Sequence, residues 1–348
     1  MNVRIATDAS AWDAFLLRQR FRPFLQSWTM GEVYRDLGQE PVRLEARDGN
    51  AISGICFAHV VPAKRGRHLS VPYGPVIENE SALAPLIESL KEEARKRNCA
   101  FIRISPFWPT EYSNIRILEY SKPSPLHLLA EHVWYVPLKA PDPWTGEAQE
   151  NTARTEEEIL KDMRPTARNL IRRAQKEGVT VERSADPVAD LKHFLTLHEE
   201  TRRRHGFTPY STAFFRSQVL HFAPRNECSL YLARYQGEVI ASSIHMHGGG
   251  ETSYHHGAST QKYRNIPASY LLQWTAISDA LKRGDRIYNF WGISPEGITK
   301  HPFAGVRTFK TAFGGRLLDL VHCMDIPLSK KYLITFGIET VRKWRRGF

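Results

Sequence analysis

Two stretches of the chain carry the same succession of hydrophobic and polar patterns. In the first, apolar positions recur through Val42-Arg43-Leu44-Glu45-Ala46 and through Ile52–Val60, and the two runs are joined at Asp48-Gly49, which predicts a β-hairpin. A third strand is predicted over His68–Val76. Leu83, Leu86, Ile87, Leu90 and Ala94 then fall on one face of a helix over Ser81–Lys96, and Cys99–Ile104 reads as a buried strand stopped by Pro106. In the second stretch, Ser229–Tyr235 and Glu238–His247 form a hairpin across Gln236-Gly237, and Glu251–Gly257 follows three consecutive glycines as a third strand. A helix opening at Pro267 presents Tyr270, Trp274, Ile277 and Leu281 on one face and stops before Gly284, and Arg286–Trp291 is the strand after it. Hairpin, strand, helix, strand therefore occurs twice.

The remaining segments frame these repeats. Residues 9–38 read as helices around the aromatic turn Phe24–Trp28, and Pro141–Glu147 reads as a polar, proline-containing linker. Thr155 with Glu158 forms a capping box, and Pro165 restarts the helix. There Met163, Ala167, Leu170, Ile171 and Ala174 share an apolar face, whereas Arg164, Arg168 and Arg172 lie at four-residue steps elsewhere, joined by Arg173 and Lys176. Like charges at this spacing repel by a few tenths of a kcal/mol per pair, roughly. The row reads either as a solvated face or as a binding surface for a polyanion.

A length of 348 residues suits two domains, and 42% hydrophobic with 24% charged residues excludes a disordered chain. The net charge of +11 attracts nucleic acid, nucleotide phosphates or anionic lipid, and residues 301–348 concentrate it with nine Lys/Arg against three Asp/Glu. No apolar run is long enough for a signal peptide or a membrane span, which predicts a cytosolic protein. Cys56, Cys99, Cys228 and Cys323 have no CxxC spacing and read as buried, reduced thiols. His245, His247, His255 and His256 lack ligand spacing, so no metal is expected.

After the last repeated strand comes Phe309-Lys310-Thr311-Ala312-Phe313-Gly314-Gly315, one lysine between two aromatics followed by paired glycines. This FKTAFGG segment resembles the signature of the FemABX family of peptidoglycan interpeptide-bridge aminoacyltransferases, in a form without the coiled-coil arm. The resemblance implies an α/β fold of two tandem GNAT-like domains, with mixed, mostly antiparallel sheets and flanking helices. The doubled element order is that of the GNAT acyltransferase core and agrees with it independently. Domain limits are expected at 1–150, with 325–348 packing on that domain, and 151–324.

The same resemblance implies the site. Lys310, with Phe309 beside it, takes the place of a channel lysine near the reacting ester, where a fixed cation stabilises a tetrahedral oxyanion. Pro72-Tyr73-Gly74-Pro75-Val76-Ile77-Glu78 is similar to the family's RGPV segment, with Tyr73 for its arginine and Glu78 for an aspartate. Glu78 is thus a candidate to orient or deprotonate the attacking amine, or else an exposed loop glutamate. Thr201–Phe207 resembles a T-x-x-R-x-x-F segment that makes Arg204 a diphosphate ligand. Tyr34, beside Arg35, stands where the family has a phosphate-binding lysine. Tyr254 in Tyr254–Ser259 resembles the tyrosine lining the peptide cavity, and Asn289 replaces the acid of a D-x-x-G-I strand end.

The implied activity is transfer of an amino acid from aminoacyl-tRNA to the stem peptide of a lipid-linked or UDP-linked peptidoglycan precursor. Arg164, Arg168, Arg172, Arg173 and Lys176 then contact the tRNA, and no cofactor is required. Another envelope N-acyltransferase and a non-catalytic RNA- or membrane-binding protein remain the alternatives. Acyl-CoA is disfavoured as donor, because Arg264-Asn265-Ile266-Pro267-Ala268 offers no glycine and one amide fewer for pyrophosphate. Lys330–Phe336 and Val341–Arg346 mix aromatic, apolar and basic residues, which suits either an anionic bilayer at the inner membrane face or an ordinary terminal helix.

Overall fold

The computed structural model describes residues 1–63, 66–112, 121–146, 152–205, 210–297 and 304–346. The chain divides into one compact unit of Met1–Glu131 with Asp319–Phe348 and a second of His132–Leu318. The division falls at 131/132 rather than at 150, for a physical reason. Strand 132–137 pairs with the last strand of the second repeat, and the segment read as a solvated linker is packed: Trp144 is buried and its indole N–H donates to Glu251 at 2.9 Å. Buried Asp142 accepts from the Tyr135 hydroxyl at 2.8 Å.

In the first unit the elements are β1 (Asn2–Ile5), α1 (Ala9–Arg18), α2 (Trp28–Asp36), β2 (Pro41–Asp48), β3 (Ala51–Val61), β4 (His68–Tyr73), β5 (Val76–Ile77), α3 (Leu83–Lys96), β6 (Phe101–Pro106) and β7 (Lys122–Pro123). Strands β1 to β4 pair antiparallel in sequence order, and β6 joins β4 in parallel after the α3 crossover. The β2–β3 turn lies at Gly49-Asn50, one residue later than the sequence suggested, because Asp48 still pairs with Ala51. The predicted stripe of α3 is the buried one, packed on β2, β3, β4 and β6.

The second unit contains β8 (His132–Pro137), β9 (Lys139–Ala140), β10 (Thr152–Ala153), α4 (Glu156–Asp162), α5 (Pro165–Lys176), β11 (Thr180–Arg183), α6 (Pro187–His205), α7 (Thr212–Phe222), β12 (Cys228–Tyr235), β13 (Glu238–Gly248), β14 (Glu251–Ser259), α8 (Ala268–Arg283), β15 (Ile287–Gly292), α9 (Ala304–Thr311) and β16 (Arg316–Asp319), the last residue of which falls past the division. Its sheet runs β11-β12-β13-β14-β15-β8-β16, again antiparallel until β14 and β15 pair in parallel around a helix. Gln236 and Gly237 at φ 51° and 81° make the tight β12–β13 turn. Helix α8 buries Leu271, Leu272, Ala276, Ile277 and Ala280 most deeply, with Tyr270, Trp274 and Leu281 at the margin. The expected face is thus rotated, since α5 covers α8 beside the sheet and widens its buried arc.

The chain then returns to the first unit as β17 (Met324–Pro327), antiparallel to β6, and α10 (Tyr332–Arg346). All four cysteines are buried and free. Among the described residues no helix is long and apolar enough to cross a membrane.

Candidate active site

The lysine of the FKTAFGG segment lies in the last turn of α9, and its neighbours explain the motif. Phe313 is fully buried, stacking on Tyr270 at 5.6 Å and meeting Phe290 at 5.1 Å. Phe309 packs edge-on against Tyr270 at 5.0 Å. The glycines permit two close backbone approaches: a Cβ on Gly314 would sit 2.8 Å from the Asp162 carbonyl, and one on Gly315 2.2 Å from that of Tyr135. Both also occupy positive φ, at 76° and 99°. The segment is therefore clamped against α4 and β8, with Arg164 N–H donating to Ala312 O at 2.9 Å.

So held, Lys310 is buried. Its ammonium donates to Gly292 O at 2.7 Å and lies 5.6 Å from the centre of the Tyr254 ring, within cation–π range. Among the described residues it forms no ion pair. Burial lowers it from 10.5 to about 7, so near neutrality it exchanges between cation and neutral amine. Such a displaced lysine is a recurrent property of reaction centres.

The acceptor of that hydrogen bond is produced by a distortion of β15. The β15–β8 register shifts between Asn289 and Gly292, and Trp291 takes φ 65°, a strained value for a bulky residue. Asn289 is buried and its side-chain oxygen accepts from Trp291 N–H at 2.8 Å, which fixes the turn. Buried there, Asn289 shapes the backbone of the site.

Tyr254 is positioned from behind. His245 stacks on it with ring centres 5.5 Å apart, and His245 Nε2 meets the Tyr288 hydroxyl at 2.8 Å. Tyr288 donates its one proton to Gln273 at 2.7 Å, so His245 Nε2 carries the hydrogen. In front, a Cβ on Gly257 would lie 1.8 Å from the Tyr254 hydroxyl, which explains the Y-x-x-G spacing. The β13–β14 register shifts so that Tyr254 faces His245 and His256 faces Ile244, leaving His255 as a bulge. His255 meets Trp291 at 4.9 Å and is held neutral, its imidazole lowered to about 3 by burial and by the charge of Lys310. Residues Tyr254–Gly257 stay partly accessible although β14 is an interior strand, which marks an opening in the packing beside Lys310.

The other sequence candidates are dispersed. Arg204, exposed on α6, reaches Ser259 O and Gln261 Oε1 at 3.2 and 3.3 Å, at the end of β14, while Phe207 of the same segment lies outside the described residues. Exposed Arg164, Arg172 and Lys176 line α5, but two of its cations hold structure. Arg168 donates to the carbonyls of Leu160, Lys161 and Met163, and Arg173 to Glu177 and Asn265 O. In the first unit Glu78 is an exposed residue after β5. Tyr73 is buried and donates to Ala130 O at 2.8 Å, Tyr34 stacks on His59 at 3.7 Å, and Arg35 pairs with Glu32. Three residues escaped the sequence reading as site members, namely His255, Trp291 and Gly257. Only Gly257 had a signal, its fixed spacing from Tyr254.

The doubled topology, with a parallel pair around one helix in each unit, defines a protein of two GNAT-like domains in tandem. The GNAT acetyltransferase domain model matches residues 161–302 and the FemAB family model residues 7–127. The aminoacyltransferase FemB of Staphylococcus epidermidis is 28% identical over 114 residues, 32% of this chain and 27% of that protein. The aminoacyltransferase FemA of the same species is 32% identical over 80 residues, 23% of this chain and 19% of that protein. The aligned segments thus span 27% and 19% of these relatives' length. The crystal structure of FemX superposes with a TM-score of 0.81 at 18% identity, covering 97% of this chain and 100% of that one. The FemAB family match, the FemA and FemB relatives and the FemX superposition together support the FemABX family.

Proposed function

We propose that the protein is an aminoacyltransferase that takes an amino acid from aminoacyl-tRNA and adds it to the stem peptide of a peptidoglycan precursor. The observation that carries this reading is Lys310, buried in the family motif without a carboxylate partner among the described residues, on the face of Tyr254. Aminolysis of the ester passes through a tetrahedral oxyanion. A desolvated ammonium beside it stabilises that charge far more than it would in water, and with its value near 7 the same group can return a proton to the leaving hydroxyl. Tyr254 and the neutral His255 supply an uncharged wall for the acceptor peptide, and Arg204 supplies a cation for a precursor diphosphate.

The donor assignment rests on two features. Exposed Arg164, Arg172 and Lys176 give α5 a cationic face suited to RNA. The turn before α8, where an acyl-CoA pyrophosphate would need amides, has no glycine and places Pro267 as N-cap. Glu78 is the proposed general base, an exposed carboxylate with no side-chain partner among the described residues. Incubation with charged tRNA and either UDP-linked or lipid-linked precursor, read by mass spectrometry, tests the function. A product mass increased by one aminoacyl residue is expected, and acetylation from acetyl-CoA in its place would overturn the reading.

A further inference from the structure

Among the described residues, the C-terminal helix α10 is held to its unit along one edge. Tyr332 and Thr335 are buried, Phe336 packs on Phe101 and Ala100 through Tyr332, and Glu339 pairs with Arg103 at 2.6 Å, while Arg103 also holds Asp325 at 2.8 Å. These positions follow the i, i+3, i+4, i+7 rule of a single seated face. The opposite face carries Leu333, Ile334, Ile338, Val341 and Trp344, exposed by 65%, 63%, 37%, 49% and 82%. At 100° per residue they span an arc of about 140° directly away from the seat. No comparable apolar surface is left by α1, α3 or α8, whose stripes are buried.

Charge decides what covers it. Arg345 is exposed within the arc, Lys330 and Lys331 are exposed at the start of the helix, Arg342 and Lys343 are exposed toward the seated side, and Glu339, the one acid of the helix, is consumed by Arg103. Pairing with α10 of a second copy would set these cations against one another. RNA would satisfy the cations but leave five large apolar side chains in water. Anionic lipid satisfies both, with apolar residues among the acyl chains, tryptophan at the interface and cations among the headgroups.

We propose that the outer face of α10 is a lipid-docking surface that seats the protein on an anionic bilayer. Resting on the aminoacyltransferase reading, this names the lipid-linked precursor as the acceptor presented there. The test uses the full chain with vesicles of equimolar phosphatidylglycerol and phosphatidylcholine, and with phosphatidylcholine alone, in a cosedimentation assay. Wild-type protein is expected to sediment with the first and not the second. Ile338→Ser with Trp344→Ala, both on exposed positions, should lower partitioning about tenfold, and Lys331→Glu with Arg345→Glu should remove the preference for anionic lipid. Circular dichroism of the variants confirms folding. Absence of binding to either vesicle overturns the proposal, as does binding unchanged in both variants, loss of self-association in place of lipid binding, or charge-variant loss of tRNA affinity with vesicle binding intact. Vesicle binding does not depend on transfer, so it can stand while the catalytic reading fails. Loss of vesicle binding with full activity on a UDP-linked precursor removes only the lipid assignment.

Discussion

Replacing Lys310 by methionine is expected to abolish transfer and, at the same time, to stabilise the fold. Burial lowers the ammonium from 10.5 to about 7, and each pH unit of such a displacement is worth about 1.4 kcal/mol. Below about pH 7 the folded chain therefore carries a protonated lysine at a cost of about 5 kcal/mol relative to the unfolded chain. At about pH 7.5 the folded side chain is largely neutral, and the cost is that of removing a proton about three pH units below its solution value, about 4 kcal/mol. Methionine has nearly the same reach and no charge. It forfeits the hydrogen bond to Gly292 O and leaves that carbonyl unpaired, which together offset about 2 kcal/mol. A net gain of about 2 kcal/mol remains, which raises Tm by about 4–8 °C in a unit of this size.

The pH dependence gives the sharper test. A lysine lowered by burial holds its proton less well in the folded than in the unfolded chain. Between about pH 7 and 10.5 the unfolded chain binds the extra proton, so wild-type stability rises with pH across that window. The advantage of Lys310→Met should be largest near about pH 6 and shrink steadily by about pH 9. Urea unfolding across this range, with transfer followed by mass spectrometry, measures both consequences. A variant less stable than wild type, or a difference that is flat with pH, would refute the argument that Lys310 is held against the cost of burying its charge.

Two further outcomes follow from the same geometry. Arg172→Glu with Lys176→Glu should weaken tRNA binding and reduce the slope of its salt dependence by about 1 to 2, whereas Arg168→Glu should chiefly destabilise α4 and α5 because its guanidinium holds three carbonyls; anisotropy titrations at several salt concentrations separate the two. If Lys310 acts as a cation, kcat/KM should fall as pH rises through about 7, and Lys310→Arg should remove that falling limb while retaining part of the activity; an identical limb in both proteins would assign it to another group.

The doubled fold was legible because each unit buries one face of one crossover helix, and that burial writes a period of 3.6 into 83–96 and a hairpin alternation before it. The motif lysine was legible for a related reason, since Phe313 and the glycines are fixed by close packing and cannot vary freely in type. The places where the sequence misled share another property. Pro141–Glu147 has the composition of a linker, yet Trp144 finds its partner Glu251 more than a hundred residues away in β14, and such long-range pairing leaves no local pattern; Asp142 is held from closer in the sequence, by Tyr135 of β8. The arginines of α5 look equivalent by spacing, but Arg168 faces the carbonyl end of α4 and Arg172 faces solvent. The positive φ of Trp291 had no signal, because tryptophan is a residue that ordinarily argues against that conformation.

Gly257 offers the most direct test of how the site is held. Its φ lies outside the left-handed region, so alanine is compatible with the backbone there, and the obstacle is contact alone. A Cβ would meet the Tyr254 hydroxyl at 1.8 Å and its ring carbons at 2.6 and 2.8 Å, so the whole ring must move. It cannot move freely, because His245 is stacked on it and Phe290 meets it at 6.2 Å, edge to face. Gly257→Ala should therefore cost about 1–3 kcal/mol by overpacking and draw the ring away from Lys310. In a Tyr254→Ala background these three contacts are gone, and the cost should fall to a few tenths of a kcal/mol, roughly, giving a coupling energy of about 1–2 kcal/mol. Transfer should fall to the same extent in Gly257→Ala, in Tyr254→Ala and in the double variant, since each removes the ring from the ammonium. Additive stabilities, or additive losses of kcat/KM, would show that Gly257 serves the strand rather than the placement of Tyr254 over Lys310.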